Sequence, residues 1–315
     1  MREECTNAKR VAFAEQTRFV TLVSSAEEEW NARLLIDSLR TFGGRLSDCA
    51  VWIFLSDPDS VPCAYADVEN VHCVPLARDD GLRYYFANKV LACAQAEEMA
   101  GREVRSLIWL STQCLILNAP VLFDLASSFD AAFRPVHIQN IGASAREPLD
   151  DYWSEVYQAV GIDDASWTVE SFVDSQELRP YFNSHVFAID PSQGLCQAWL
   201  QLFEEMVADE AFQSGFCRDE LHRIFLHQAI LSALVTRLLD RDRVRILPPG
   251  YSYPLHLHPQ VPASLRAQTL NHLVCAVYEG AYRHPDTLNG LQVHEPLRSW
   301  LRSRTVLKQP GGNQV

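Results

Sequence analysis

Arg18-Phe19-Val20-Thr21-Leu22-Val23-Ser24-Ser25 decides how the rest of the chain is read. It is apolar and β-branched and then turns polar, the pattern of a buried strand ending at a loop. Residues 27–41 follow with Trp30, Leu34, Leu35, Ile36 and Leu39 at helical spacing, and Gly43-Gly44 stops that helix. Residues 50–55, Ala-Val-Trp-Ile-Phe-Leu, are apolar on both faces, as in a parallel strand covered on each side by helices. Strand, helix and strand with short links set the rule for what comes after.

The alternation continues. A third strand is expected over residues 71–76 and a helix over 85–100. A fourth strand is expected over 107–110, continued after a polar break by 114–117. Short strand pieces fall at 130–133 and 136–138, and a helix at 149–160 is ended by Gly161. Residues 181–189 read as a strand, 195–208 and 220–239 as amphipathic helices, and 244–247 as a last strand. With no repeat and no low-complexity linker, residues 1–305 are expected to form one domain and 306–315 a flexible tail.

Composition narrows the class. Of 315 residues, 48% are hydrophobic and 21% charged, a globular mixture. Forty acidic against 27 basic residues give a net charge of -13, which disfavours a nucleic-acid partner. From the opening Met1-Arg2-Glu3-Glu4 no apolar leader is expected. The long uncharged run 107–123 is broken by Ser111, Thr112, Gln113, Asn118 and Pro120, so no membrane span is expected there. Nine cysteines without a CxxC pair read as reduced thiols of a cytoplasmic protein. Walker, GxSxG, HExxH and GxGxxG motifs are absent from the sequence.

Four segments carry a family likeness: the opening strand at 19–25, Tyr84-Tyr85-Phe86-Ala87-Asn88-Lys89, the strand and turn at 108–117, and Tyr181-Phe182-Asn183-Ser184-His185-Val186 with His227-Gln228 further on. In this order they resemble the GT-A fold of nucleotide-diphospho-sugar glycosyltransferases, most nearly glycosyltransferase family 8. The likeness spans residues 19–280. It implies a GT-A-like, Rossmann-like mixed α/β sheet flanked by helices, with a less regular C-terminal lobe. It also implies transfer of a hexosyl group from a nucleotide-sugar donor to a small-molecule or peptide acceptor.

The chain departs from that family at chemically important places. The family's Asp-x-Asp motif holds Mn²⁺ or Mg²⁺ through carboxylate oxygens, whereas Ser111-Thr112-Gln113 stand here. A glycine of the acceptor-side strand is His185, and the Asp before Gln228 is His227. The degenerate motif leaves Mn²⁺ or Mg²⁺ open, and it leaves open a non-catalytic relative that binds a nucleotide sugar without turnover. For metal, His256, His258, Glu279 and His284 are the weak candidates, the first two because an extended His-x-His places both rings on one side.

The resemblance distributes the remaining roles. Thr21, Val23 and Ser24 would meet the nucleotide, and Ser111, Thr112 and Gln113 the donor near its phosphates. Lys89 and Arg83, with Arg134 as a further cation, would offset the charge of the leaving diphosphate. Asn183 and His185, alternating with Ser184, would face the sugar and acceptor together with Gln228, and His185 would serve as a base. Each has a plainer reading as well: a polar strand-end turn, a buried histidine bonded to backbone, or a solvated surface charge.

Overall fold

The computed structural model describes residues 15–58, 65, 68–77, 82–217, 219–278 and 290–305. Glu279, His284, Cys5, Cys63 and the expected tail at 306–315 lie outside the described residues. The opening stretch forms β1 (Thr17–Val23) and leads into α1 (Ala26–Phe42). Ser25 caps α1 by accepting from the Glu28 backbone N–H, and the Glu28 carboxylate reaches back to the Ser24 N–H at 2.6 Å. At the other end Gly43 passes so close to the helix that a Cβ would sit 2.4 Å from the Leu39 carbonyl oxygen, which is why glycine stands there.

The chain then alternates through β2 (Ala50–Leu55), β3 (Val71–Pro75), α2 (Ala87–Ala100), β4 (Ser106–Leu110), β5 (Cys114–Ile116) and β6 (Ala131–Pro135). After α3 (Asp151–Val160) come a hairpin of two short strands, β7 (Val169–Glu170) and β8 (Glu177–Leu178), and the long β9 (Phe182–Ile189). Helices α4 (Leu195–Ala208), α5 (Glu210–Gly215) and α6 (Glu220–Leu238) follow. The chain closes with β10 (Val244–Ile246), β11 (Tyr253–Pro254), β12 (Cys275–Val277) and α7 (Leu297–Thr305).

The central sheet has seven strands in the order β10-β6-β9-β4-β1-β2-β3. Strands β1 to β4 run parallel, β9 enters antiparallel between β4 and β6, and β10 is parallel to β6. This is the mixed sheet flanked by helices that the sequence implies. One face packs Val20, Trp109 and Phe187 against α2, α3, α4 and α6, and the other packs Phe19, Ile53 and Ile108 against α1. Burying both faces explains the near-continuous apolar runs of β1, β2 and β4.

The structure corrects several local expectations. β5 does not extend β4; it leaves the central sheet and pairs with β12 in a separate three-stranded sheet, β11-β12-β5. Residues 136–138 are not a strand. Tyr251 and Tyr253 are buried in the C-terminal lobe. Six cysteines (Cys49, Cys93, Cys114, Cys196, Cys217 and Cys275) are free and buried as expected, but Cys73 is disulfide-bonded. Among the described residues no helix is long and apolar enough to cross a membrane.

Candidate functional site

The site is built around a break in register. On β6 and β9, Phe133 pairs with Phe187 but Pro135 pairs with Phe182, so residues 183–186 bulge out of the ladder. Proline has no N–H to offer the ladder, which favours the break at Pro135. The Asn183 side chain holds the bulge by accepting from the His185 N–H at 2.7 Å. The strict alternation expected for this strand is thereby lost. Ser184, assigned from the sequence to the opposite face, turns toward α2 and α6 instead.

There it meets Lys89. Lys89 stands in the first turn of α2, just after Phe86, a non-glycine residue in the left-handed region at φ 60°. The Lys89 side chain is only 7% exposed, and its ammonium donates to Ser184 Oγ at 2.7 Å. The rings of Phe86 and Trp109 lie 5.1 and 5.8 Å from Nζ. Burial pushes the Lys89 pKa down to about 8; the nearby Cys93 and Cys114 thiols oppose this only in part. Among the described residues no carboxylate pairs with it in a salt bridge.

His227 completes the cluster. Its Nδ1 lies 2.9 Å from the Ile224 carbonyl oxygen, which can only accept, so that nitrogen carries the proton. Nε2 is then the acceptor and receives the Ser184 hydroxyl at 3.0 Å. Burial, reinforced by Lys89, holds the His227 pKa well below its ordinary value, in keeping with this neutral tautomer. Gln228, expected to face a sugar, turns its carbonyl oxygen to the Ser184 backbone N–H at 3.3 Å and so braces the bulge. Phe86 covers the cluster from outside, 47% exposed, with its ring 4.4 Å from the His227 ring.

His185 joins this group to the turn after β4, because its carbonyl accepts from the Ser111 N–H at 2.8 Å. Its pKa is pushed down to about 3 by burial first and then by Lys89 and His256, so with no ligand present it is not the near-neutral base expected from the sequence. Ser111, Thr112 and Gln113 form the turn that carries the chain from the central sheet to the small one. Tyr278 pins that turn through the carbonyls of Thr112 and Gln113. The turn sits at the carboxyl end of β4, where open α/β sheets take ligands.

Other sequence candidates lie apart from this cluster. Thr21 and Val23 are enclosed in the central sheet, at 1% and 0% exposure, and of the three opening-strand residues only Ser24 presents surface. Arg83 is exposed on the approach to α2. His256 and His258 fall in a short 3-10 helix, Leu255–Gln260, where two residues apart is not the same side, and His258 is engaged by Tyr253 at 2.8 Å. Among the described residues no three His, Cys, Asp or Glu side chains converge as a metal site would require. Neutral oxygens at Ser111–Gln113 beside a buried ammonium do not fit Mn²⁺ or Mg²⁺, which take hard anionic oxygens.

The sequence reading missed Ser184, His227 as its partner, and His137. For Ser184 and His227 the only signal was adjacency to residues already singled out. For His137 it was a basic Arg134-Pro135-Val136-His137 at the end of a strand.

Fold and geometry together describe an α/β protein with a buried cation at the carboxyl end of a Rossmann-like sheet. The chain belongs to the Rhodobacterales glycosyltransferase domain family, whose model matches residues 19–238. The match opens in β1 and closes with α6, taking in Lys89, Ser111–Gln113, the β9 bulge and His227-Gln228. No curated protein matches the chain.

Proposed function

We propose that this domain transfers a sugar from a nucleotide-diphospho-sugar donor to an acceptor hydroxyl, and that Lys89 takes up the charge of the leaving diphosphate. Family membership supports glycosyl transfer in general. The order of motifs, which resembles a GT-A enzyme of family 8, supports the nucleotide-diphospho donor. The observation that carries the reading is Lys89 itself: a buried ammonium at the carboxyl edge of the sheet, held by neutral partners.

In the reaction the bond between the anomeric carbon and the diphosphate oxygen breaks, and its electron pair leaves with the diphosphate. The acceptor oxygen forms the new bond and gives up its proton to the departing diphosphate. What a scaffold supplies to such a step is position and electrostatic stabilisation. An ammonium already stripped of water, and fixed by Ser184, needs little reorganisation when that charge develops. Binding of the anion also restores the Lys89 proton affinity that burial reduces.

Turnover of a panel of nucleotide sugars, measured with EDTA present, tests the reading. Lys89→Ala is expected to lose about 2–4 kcal/mol of transition-state stabilisation, roughly 30- to 1,000-fold in kcat/KM. Activity is expected to survive EDTA. Full activity in Lys89→Ala removes the leaving-group role. Nucleotides that bind without turnover against any acceptor make the chain a non-catalytic binding relative.

A further inference from the structure

A further pair of basic residues lies on β6 and just beyond its end, across the β9 bulge from Lys89. Arg134 is the penultimate residue of β6 and is 4% exposed. Its guanidinium carbon lies 5.1 Å from the centre of the Phe172 ring, and its Nε has no hydrogen-bond partner. His137, three residues on, is 6% exposed, and neither of its ring nitrogens has a partner. Both residues are positioned by one segment: the Phe172 N–H donates to the Val136 carbonyl at 3.1 Å and the Val173 N–H to the His137 carbonyl at 2.7 Å.

Such groups are costly as they stand. A buried donor without a partner gives up its bonds to water with nothing in return, and the cost is larger when it is charged. Salt bridges and charged hydrogen bonds elsewhere engage Arg179 and Arg243, yet among the described residues no carboxylate pairs with Arg134. The only cause acting on its pKa, lowered to about 10, is burial. Burial, and after it the nearby His185, Arg134 and His256, holds the His137 pKa well below its ordinary value. With His137 and His185 held neutral, Arg134 is a buried cation that no carboxylate meets among the described residues, and it calls for a counter-anion.

We propose that Arg134 and His137 form a receptor for an oxyanion substituent, carboxylate or phosphate, borne by the transferred sugar or by its acceptor. The inference rests on the glycosyl-transfer reading and adds a substrate class to it: at least one of the two substrates is anionic beyond the diphosphate. The oxyanion accepts from Arg134 Nε–H and from an N–H of His137, satisfying atoms that are otherwise unpaired. It is separate from the diphosphate, which belongs at Lys89 on the β4 side of the bulge.

The test uses matched pairs. Calorimetry on the full chain compares glucuronate and glucose 6-phosphate with glucose. Turnover assays compare nucleotide-uronate with nucleotide-hexose donors, and carboxylated or phosphorylated acceptors with neutral ones. The expected result is at least a tenfold preference for the anionic member, by donor or by acceptor according to which substrate carries the group. In Arg134→Gln and His137→Gln that ratio falls to about one, and Arg134→Lys restores part of it. Nucleoside diphosphate binding to the same variants reports folding and the Lys89 site. No preference by the wild-type chain in either format overturns the proposal. So does loss of nucleoside diphosphate binding in Arg134→Lys, which would place Arg134 on the leaving group. Calorimetry needs no turnover, so a chain that selects anions without transferring sugar refutes the catalytic reading and keeps the receptor.

Discussion

Lys89 connects stability and activity through one proton. Burial lowers its pKa from 10.5 to about 8. Between those values the unfolded chain binds the proton and the folded chain does not, so stability from this group rises with pH across that window. Below pH 8 both states are protonated and the desolvation cost is carried in full. Urea midpoints of wild type and Lys89→Met at pH 8, 9 and 10 are expected to diverge, with wild type gaining up to about 3 kcal/mol relative to the variant. Activity runs the other way. With the site empty the ammonium is lost above pH 8, so kcat/KM is expected to fall there, while kcat, measured with the anion bound, holds to higher pH. A kcat/KM profile that stays flat to pH 10 would remove Lys89 from the charge-bearing role.

The β9 bulge is where one element decides the site. Its geometry depends on the Asn183 side chain, the Gln228 carbonyl oxygen and the break opposite Pro135. Asn183→Ala removes one of these supports and leaves the His185 N–H without its partner. The expected cost is about 1–2 kcal/mol in stability, with a larger relative loss in kcat/KM because Ser184 is no longer aimed at Lys89. Asn183→Asp keeps an acceptor oxygen and is expected to retain the bulge. Chemical denaturation alongside steady-state kinetics on both variants separates the two effects. An Asn183→Ala chain with unchanged kinetics would show that the bulge does not position the site.

At the scale of the whole molecule, ligand binding adds to folding stability by mass action. A nucleoside diphosphate at about 100 times its Kd is expected to contribute about 2.7 kcal/mol, near 5 °C in Tm for a chain of this size. The shift is expected to be the same with EDTA as with Mn²⁺, because in the proposed reading Lys89, rather than a divalent ion, meets the anion. A shift seen only with Mn²⁺ would point to metal ligands beyond the described residues. The acidic surface bears on the same measurement. An anion reaches its site against a net charge of -13, so added salt, which screens that repulsion as well as the local attraction, is expected to change the affinity only modestly.

What the sequence determined by itself is the succession of elements. The apolar run at Phe19–Val23, the helical spacing of Trp30 to Leu39 and the amphipathic Leu195–Ala208 each record a period set by local backbone geometry and by which face is buried, and each element formed where that period placed it. Lys89 was legible too, since its place at the start of α2 is a local property. Tertiary structure decided everything that depends on partners distant in the chain. Whether β5 continues β4 or leaves for β12 depends on Cys275–Val277, some 160 residues away. Which of Asn183, Ser184 and His185 turns toward Lys89 depends on a register slip against β6 that no alternation within β9 reveals. The unpaired Arg134 and His137 read from sequence as ordinary basic residues, because the absence of a counter-charge is a property of the packed surroundings and not of the strand that carries them.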